Sequence, residues 1–405
     1  MHFVALALFV IAVLGSASST VFLGMALVGA AKFRAQARQQ AANAAVISAT
    51  EWPRVSVLKP LHGMEPQLEQ NLESFFQQDY PNFEILFAVD TDDDAALPLA
   101  RALCAKYSHI PSRVMVTGDP PWPNPPAYCF YRMARETTNQ ILVTSDSDVV
   151  VDRSYLREVV APLLAPKTGM VTCIYRGLST GGFWSLLDAV GMSVEMTAGV
   201  LVANMLEGIK FGLGPTIVVR RDALEAIGGY RAIGDYFAND FIIGNKIAAA
   251  GYEVVLSRHI ISHVVAPMSL RQMWQRHVRW ATSTRRSRPM GHFGSGLVYA
   301  TPFGLLALIA GFATGLPRLG LALFVWSLLN RVIEAVAIGW GITRDRECLT
   351  KPWLYPVRDF AGFVVWVASY TVRHMKWRSG RFELIADGRV QMRDRNGNIV
   401  MPSEF

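Results

Sequence analysis

Six carboxylates fall in two short clusters in the middle of the chain. Phe87-Ala-Val-Asp90-Thr-Asp92-Asp93-Asp94 places four of them at the end of one expected strand. Thr144-Ser-Asp146-Ser-Asp148 places two at the end of another. Side chains two apart on an extended segment leave the same side. Asp146 and Asp148 can therefore share one divalent ion, Mg2+ or Mn2+, that bridges to diphosphate oxygens. A solvated turn or a helix cap is the plainer explanation of any aspartate run. It weighs more on the first cluster than on Asp146 and Asp148, which follow directly on a buried strand. Together the two clusters point to nucleotide-sugar or phosphoryl chemistry. Further on, Asp240 opens a helix in Asp235-Tyr-Phe-Ala-Asn239-Asp240-Phe241, where a favourable dipole contact alone would explain it. In Arg276-His277-Val278-Arg279-Trp280 two arginines share one helix face. Such a pair could hold a diphosphate with Trp280 stacking beside it, or could equally contact an anionic lipid. The lone Gly212-Leu-Gly214 reads as no more than a turn.

The elements that must position these groups alternate between strand and helix. Residues 55–58, 83–89 and 141–144 are short apolar runs ending at polar residues, as strands do. Residues 66–78 show helical spacing through Leu68, Leu72, Phe75 and Phe76, and Asp79-Tyr-Pro-Asn82 makes a turn. That rhythm implies a parallel sheet, whose ligands bind beyond the C-terminal strand ends. Residues 117–126, with five prolines, form a stiff loop. A short helix closed by Gly228-Gly229 and another stopped by Gly251 follow.

The rest of the chain is apolar. Of 405 residues, 51% are hydrophobic and only 18% charged, which excludes a disordered chain and argues against a wholly soluble enzyme. Four dispersed cysteines exclude a disulfide framework and a structural zinc site. The formal charge of +7 suits an anionic partner. Residues 3–31 carry no formal charge, and Lys32, Arg34 and Arg38 follow at once. This reads as a retained anchor rather than a cleaved leader, with the residues after it on the cytoplasmic side. Further apolar runs lie at 296–316 and 319–342, the first preceded by Arg285, Arg286 and Arg288. Arg331 and Glu334 inside the second read as a self-neutralising pair facing protein, ahead of a lipid-substrate contact. A fourth run, 357–372, is short, starts with Arg358 and Asp359, and either spans or re-enters. Residues 181–214 form an apolar stretch with Asp188, Glu195 and Glu207, either an interfacial helix that admits lipid or a packed one. The expected layout is an anchor at 1–34, a cytoplasmic catalytic domain at 51–290, a membrane region at 291–372 and a basic tail at 373–405.

The order of these motifs resembles lipid-directed and processive glycosyltransferases of the type A fold. Ser56-Val-Leu-Lys59-Pro60-Leu-His-Gly63, Asn71-Leu-Glu-Ser-Phe75 and Gln78-Asp79-Tyr80-Pro81 are similar to the ceramide glucosyltransferase family, glycosyltransferase family 21. Val171-Thr-Cys-Ile-Tyr175-Arg176-Gly177 resembles its bacterial relatives of hopanoid biosynthesis, and Trp377-Arg378-Ser-Gly380-Arg381 its C-terminal motif. The resemblance implies an α/β fold of type A, Rossmann-like with a mostly parallel sheet, carrying N-terminal and C-terminal transmembrane helices in a bacterial inner membrane. It implies an inverting transfer of a sugar, glucose in the first instance, from a UDP-sugar donor to a membrane lipid acceptor. Ceramide comes first as acceptor and a hopanoid or another lipid second, with no nucleic acid partner. Carried over residue by residue, Asp146 and Asp148 take the metal and nucleotide motif, with Mg2+ or Mn2+ as cofactor. Asp90 and Asp92 stand for the first donor aspartate, Asp240 for the general base, and Arg276, Arg279 and Trp280 for the diphosphate and acceptor motif. Three positions depart from the pattern: Thr91 falls on the first family aspartate, Asn239 replaces a Glu, and Pro126 replaces a Lys. With neutral Asn239 beside it, Asp240 is expected to meet no like charge and to stay ionised at pH 7. A processive synthase is disfavoured by the few apparent spans. A membrane protein that binds nucleotide-sugars or anionic lipids without turnover is the non-enzyme alternative.

Overall fold

The computed structural model describes residues 2–372, 375–377, 380–385, 388–393 and 399–400. Arg373, Arg378 and Ser379, parts of the expected basic tail and C-terminal motif, lie outside the described residues. The chain forms two compact units. One takes residues up to 34, 176–207 and 267–372; the other takes 35–175, 208–266 and the described residues from 375 onward. This differs from the linear layout, because 176–207 and 267–290 group with the late apolar helices rather than with the sheet.

The second unit is built on an eight-stranded sheet. Its strands are β1 (Val55–Pro60), β2 (Phe83–Val89), β3 (Ser112–Val116), β4 (Ile141–Ser145), β5 (Val149–Val150), β6 (Thr168–Ser179), β7 (Thr216–Arg220) and β8 (Glu253–Val265), in the order β3-β2-β1-β4-β7-β6-β8-β5. The first four pair in parallel, with Val55 opposite both Phe83 and Ile141. Strands covered on both faces read as near-continuous apolar runs, and β1 and β4 are buried almost throughout. The helix Leu68–Phe76 packs Leu72, Phe75 and Phe76 into this core. Each such side chain contributes about 1.5–3 kcal/mol on burial. From β4 onward the pairing turns antiparallel. Ser145 lies opposite Thr216, and Val149 opposite His263. Those two registers bring the loop before β7 and the end of β8 to the C-terminal end of β4, where Asp146 and Asp148 follow.

The first unit is helical. Among the described residues three helices are long and apolar enough to cross a membrane: His2–Ala45, Phe183–Glu207 and Pro317–Trp340. The apolar run at 296–316 contains a helix of only 13 residues, Thr301–Ala313, because residues 296–300 fold as turn and coil. Thirteen residues rise about 20 Å, short of a bilayer core. That helix packs closely on Pro317–Glu334, where a Cβ on Gly320 would lie 2.5 Å from the Ala307 carbonyl oxygen. Arg331 pairs with Glu334 at 2.8 Å and with Asp359 at 3.3 Å, all three at most 2% exposed. The other oxygen of Asp359 accepts from the Ala300 and Thr301 N–H groups at the start of the short helix. Arg331 and Glu334 thus pair inside protein, the reading favoured above, with Asp359 as a second carboxylate on the same guanidinium.

Candidate active site

The aspartates of the second unit meet where β4 ends. Antiparallel pairing of β4 with β7 carries Gly212-Leu-Gly214 past the Asp146 turn. There the Gly214 N–H donates to Asp240 Oδ2 at 2.9 Å, and the Gly212 N–H donates to the Asp240 carbonyl at 2.9 Å. A Cβ on Gly214 would lie 3.2 Å from Asp240 Oδ2 and 4.0 Å from Asp146 Oδ2; one on Gly212 would lie 2.7 Å from the Asp240 carbonyl oxygen. The two glycines are what lets Asp240 approach Asp146. Sequence reading took this Gly-x-Gly for a plain turn, since nothing local reveals which strand β7 joins.

Asp240 lies in the first turn of the helix Asn239–Ala249. Its Oδ1 accepts from the Phe241 N–H at 2.8 Å. Burial pushes its carboxyl above the usual carboxylate range, opposed by the Phe241 and Gly214 N–H groups. The expectation from Asn239 was incomplete on this point: it considered neighbouring charge and left out burial. Asn239 itself accepts from the Asp240 N–H at 2.8 Å and reaches Asn124 at 3.5 Å. Asn124 also donates to the Tyr236 carbonyl at 2.8 Å, so the proline-rich loop is stapled to the segment leading into Asp240.

Lys59, next to last in β1, is fully buried beneath this cluster. Its ammonium donates to the Asp146 carbonyl at 2.5 Å and sits 3.8 Å from the Phe75 ring centroid. Burial pulls it down to about 7, against Asp146, Asp148 and Glu65, which raise it. Burial and the charge of Asp148 push Asp146 well above its ordinary range, against Lys59. The available signal for Lys59 was a lysine directly after the expected strand 55–58.

Negative charge exceeds positive in this cluster, which suits a cation. Asp148 Oδ1 is buried and accepts no hydrogen bond among the described residues, an arrangement that is costly for a carboxylate oxygen unless a cation meets it. His263, on the β8 strand beside it, places Nε2 3.4 Å from Asp148 Oδ2. The residues present therefore fit Mg2+ or Mn2+. Among the described residues no three His, Cys, Asp or Glu side chains form a complete cage. An ion here would take Asp148 and complete its shell mainly from substrate oxygens and water.

The first acidic cluster divides. Asp90 is half-buried at the C-terminal end of β2, with the Cys129 thiol 3.5 Å from Oδ1 and His62 Nδ1 3.9 Å from Oδ2. Asp92 and Asp93 are exposed in the turn. Asp94 folds back to accept the Gly63 and Ala96 N–H groups, so the turn itself accounts for it.

Arg276, Arg279 and Trp280 belong to the first unit, on the helix Leu270–Ser287, which opens with a Ser269–Gln272 capping box. The two arginines are not equivalent. Arg276 pairs with buried Asp188 at 3.1 Å and lies 4.9 Å from the Trp280 ring. Arg279 is half-buried, and its Nε has no hydrogen-bond partner among the described residues.

The model of the family described as Glycosyl transferase family 21 matches residues 9–390. The chain belongs to glycosyl transferase family 21. As a family 21 member it is an enzyme, a hexosyltransferase, which sets aside the binding-only alternative. Ceramide glucosyltransferase 1 of Caenorhabditis elegans is 25% identical over 350 residues, spanning 84% of this chain and 73% of that one. Ceramide glucosyltransferase of Komagataella phaffii is 41% identical over 61 residues, 15% of this chain and 12% of that one. Among solved structures, mannosyltransferase PcManGT from Pyrobaculum calidifontis, in complex with GDP-Man and Mn2+, is 18% identical with a TM-score of 0.47, covering 87% of this chain and 98% of that one. TarS 1-349 from S. aureus, in complex with UDP-GlcNAc, is 14% identical with a TM-score of 0.39, covering 85% and 98%.

Proposed function

We propose that this family 21 enzyme transfers glucose from UDP-glucose to the primary hydroxyl of ceramide, with inversion, on the cytoplasmic face of a membrane. The observation that carries the reading is the convergence of Asp240 and Asp146 on Gly214, which puts a carboxylate base beside a cation-binding turn. The curated relatives named as ceramide glucosyltransferases support the acceptor. In the transfer, the acceptor oxygen attacks the anomeric carbon as its proton passes to Asp240, and the bond from that carbon to the diphosphate oxygen breaks. UDP leaves with the electron pair. When bound, Mg2+ or Mn2+ supplies positive charge to the departing diphosphate. Lys59 holds the Asp146 turn in place. Asp90, half-buried at a strand end, serves as the first donor aspartate in preference to exposed Asp92.

The transfer assay tests this directly. Purified protein given UDP-glucose and ceramide is expected to release UDP and form a hexosylceramide, detected by mass spectrometry of the extracted lipids. Product from a hopanoid or diacylglycerol but never from ceramide overturns the acceptor. The cytoplasmic placement rests on Lys32, Arg34 and Arg38, which follow the uncharged run 3–31 within the first helix. In right-side-out vesicles residues 51–290 should resist added protease until the membrane is opened; digestion from outside overturns that placement.

A calorimetric series ranks the donor contacts. Lys59→Met keeps the packing on Phe75 but removes a charged hydrogen bond of about 1.5–3 kcal/mol. UDP affinity in Mn2+ should fall by roughly tenfold or more. Asp90→Ala should weaken UDP comparably, and Asp92→Ala should leave it within about twofold. A reversed order of the two aspartates assigns the role to Asp92.

A further inference from the structure

The helix segment Phe183–Gly191 is apolar, yet it carries Asp188 at 0% exposure. A buried carboxylate persists only where other groups satisfy it, and both oxygens of Asp188 are engaged from one helix. Oδ1 faces His277 Nε2 at 2.7 Å, and Oδ2 accepts from Arg276 Nη1 at 3.1 Å. Arg276 and His277 are consecutive, about 100° apart around the helix axis. One carboxylate gripping both fixes how the Leu270–Ser287 helix is rotated. Trp280 stands four residues after Arg276 and three after His277, and it touches both. The guanidinium lies 4.9 Å from its ring, and the imidazole meets it edge-on with centroids 5.4 Å apart at 89°.

A second contact locks the imidazole. With Nε2–H directed at Asp188, His277 Nδ1 is an acceptor, and Arg358 Nη2 approaches it at 3.5 Å. Arg358 in turn pairs with Glu195 at 2.9 Å. Glu195 lies in the π-helical turn Met192–Met196, which directly continues the helix that carries Asp188. The chain Asp188–His277–Arg358–Glu195 therefore starts and ends on one continuous apolar helix, Phe183–Glu207. With Arg276 counted, two carboxylates balance two guanidiniums, and the imidazole is neutral between them. Arg276 is thereby committed to Asp188, which leaves Arg279 for an anion.

We propose that Asp188 is the positioning residue of the Arg276-to-Trp280 motif: its carboxylate orients Arg276 and His277, and through them sets the pose of the Trp280 ring. The consequence for catalysis rests on the transfer proposed above; the orientation of Trp280 does not. Asp188→Asn keeps the shape and removes the charge. Two measurements test it on the purified full chain. In tryptophan emission, the Trp280 component, taken as the difference between each protein and its own Trp280→Phe partner, should change in wavelength or yield when Asp188→Asn is introduced. Arg276→Gln, which leaves Asp188 held by His277, should change it in the same direction and serves if Asp188→Asn fails to fold. An unaltered Trp280 component in both overturns the proposal, whether or not the protein transfers sugar. In turnover, Asp188→Asn should lower kcat/KM for the lipid acceptor by roughly 10- to 100-fold in the wild-type background. In a Trp280→Ala background it should lower it by less than about threefold. A purely structural carboxylate lowers both by the same factor, and that result also overturns the proposal. Absence of transfer to any lipid by the wild type defeats the functional reading and leaves the emission result to decide on Asp188.

Discussion

Asp148→Ala is expected to abolish the Mn2+ dependence of UDP binding and to lower kcat/KM by roughly 10³-fold or more, the scale on which a Lewis-acid contact of several kcal/mol acts. The argument starts from a carboxylate oxygen. Asp148 Oδ1 is buried without a hydrogen bond among the described residues, while Oδ2 lies 3.4 Å from His263 Nε2. The backbone there is fixed independently, since the Asp148 carbonyl accepts from the Val264 N–H at 2.7 Å. Alanine therefore removes the ligand without releasing the turn, and it also removes a buried charge crowding Asp146, so the fold should be kept. Calorimetry with UDP, run with Mn2+ and again in excess chelator, separates the cases. The wild type should lose affinity in chelator down to the level of the variant, and the variant should be indifferent to metal. Undiminished turnover of the wild type in chelator would sink the metal role and leave Asp146 and Asp148 as contacts to the nucleoside.

The sequence shows three of the four parallel strands almost to the residue, and for a physical reason; β3, exposed or half-buried along its length, gave no apolar run to read. Strands buried on both faces are uninterrupted apolar runs, and 83–89 is observed as Phe83–Val89, while 55–58 and 141–144 each extend by one or two residues. The carboxylates that follow those strands were equally legible, because a polar cluster abutting a buried strand has few other places to go. What stayed hidden depends on contacts distant along the chain. Gly212 and Gly214 gain their meaning from β7 lying antiparallel to β4, and a two-glycine string carries no record of that. Asp188 and His277 are 89 residues apart, so each alone reads as an ordinary helical residue. Length of apolar run misled at 296–316, where turn and coil at the N-terminal end shorten the helix to 13 residues. Neighbouring charge was likewise an insufficient guide to Asp240, whose carboxyl is raised by burial that the sequence does not express.

Asp240→Asn should reduce kcat by roughly 10²–10⁴-fold, the usual contribution of a general base, with UDP affinity nearly unchanged. A primary alcohol is too weak an acid to attack unaided at neutral pH. Asp240 is held for that task by two backbone donors, Gly214 N–H on Oδ2 and Phe241 N–H on Oδ1. Asparagine can accept only one of those bonds, because its amide nitrogen must face the other N–H. A stability loss of about 1–2 kcal/mol is expected, far below the kinetic effect. The pH dependence carries an independent sign. A base works only when deprotonated, so activity rises with pH through its pKa; burial raises that pKa, which moves the acid limb of kcat/KM above the ordinary carboxylate range. The residual activity of the asparagine variant should lack that limb. Gly214→Ala offers a second route to the same atom. Its Cβ would stand 3.2 Å from Asp240 Oδ2, and displacing the carboxylate by a few tenths of an ångström should lower kcat while UDP still binds. UDP release against lipid acceptor across pH, beside calorimetric UDP binding, reads all three proteins together. A variant that turns over normally, or one that fails only because UDP no longer binds, removes Asp240 from the role of base.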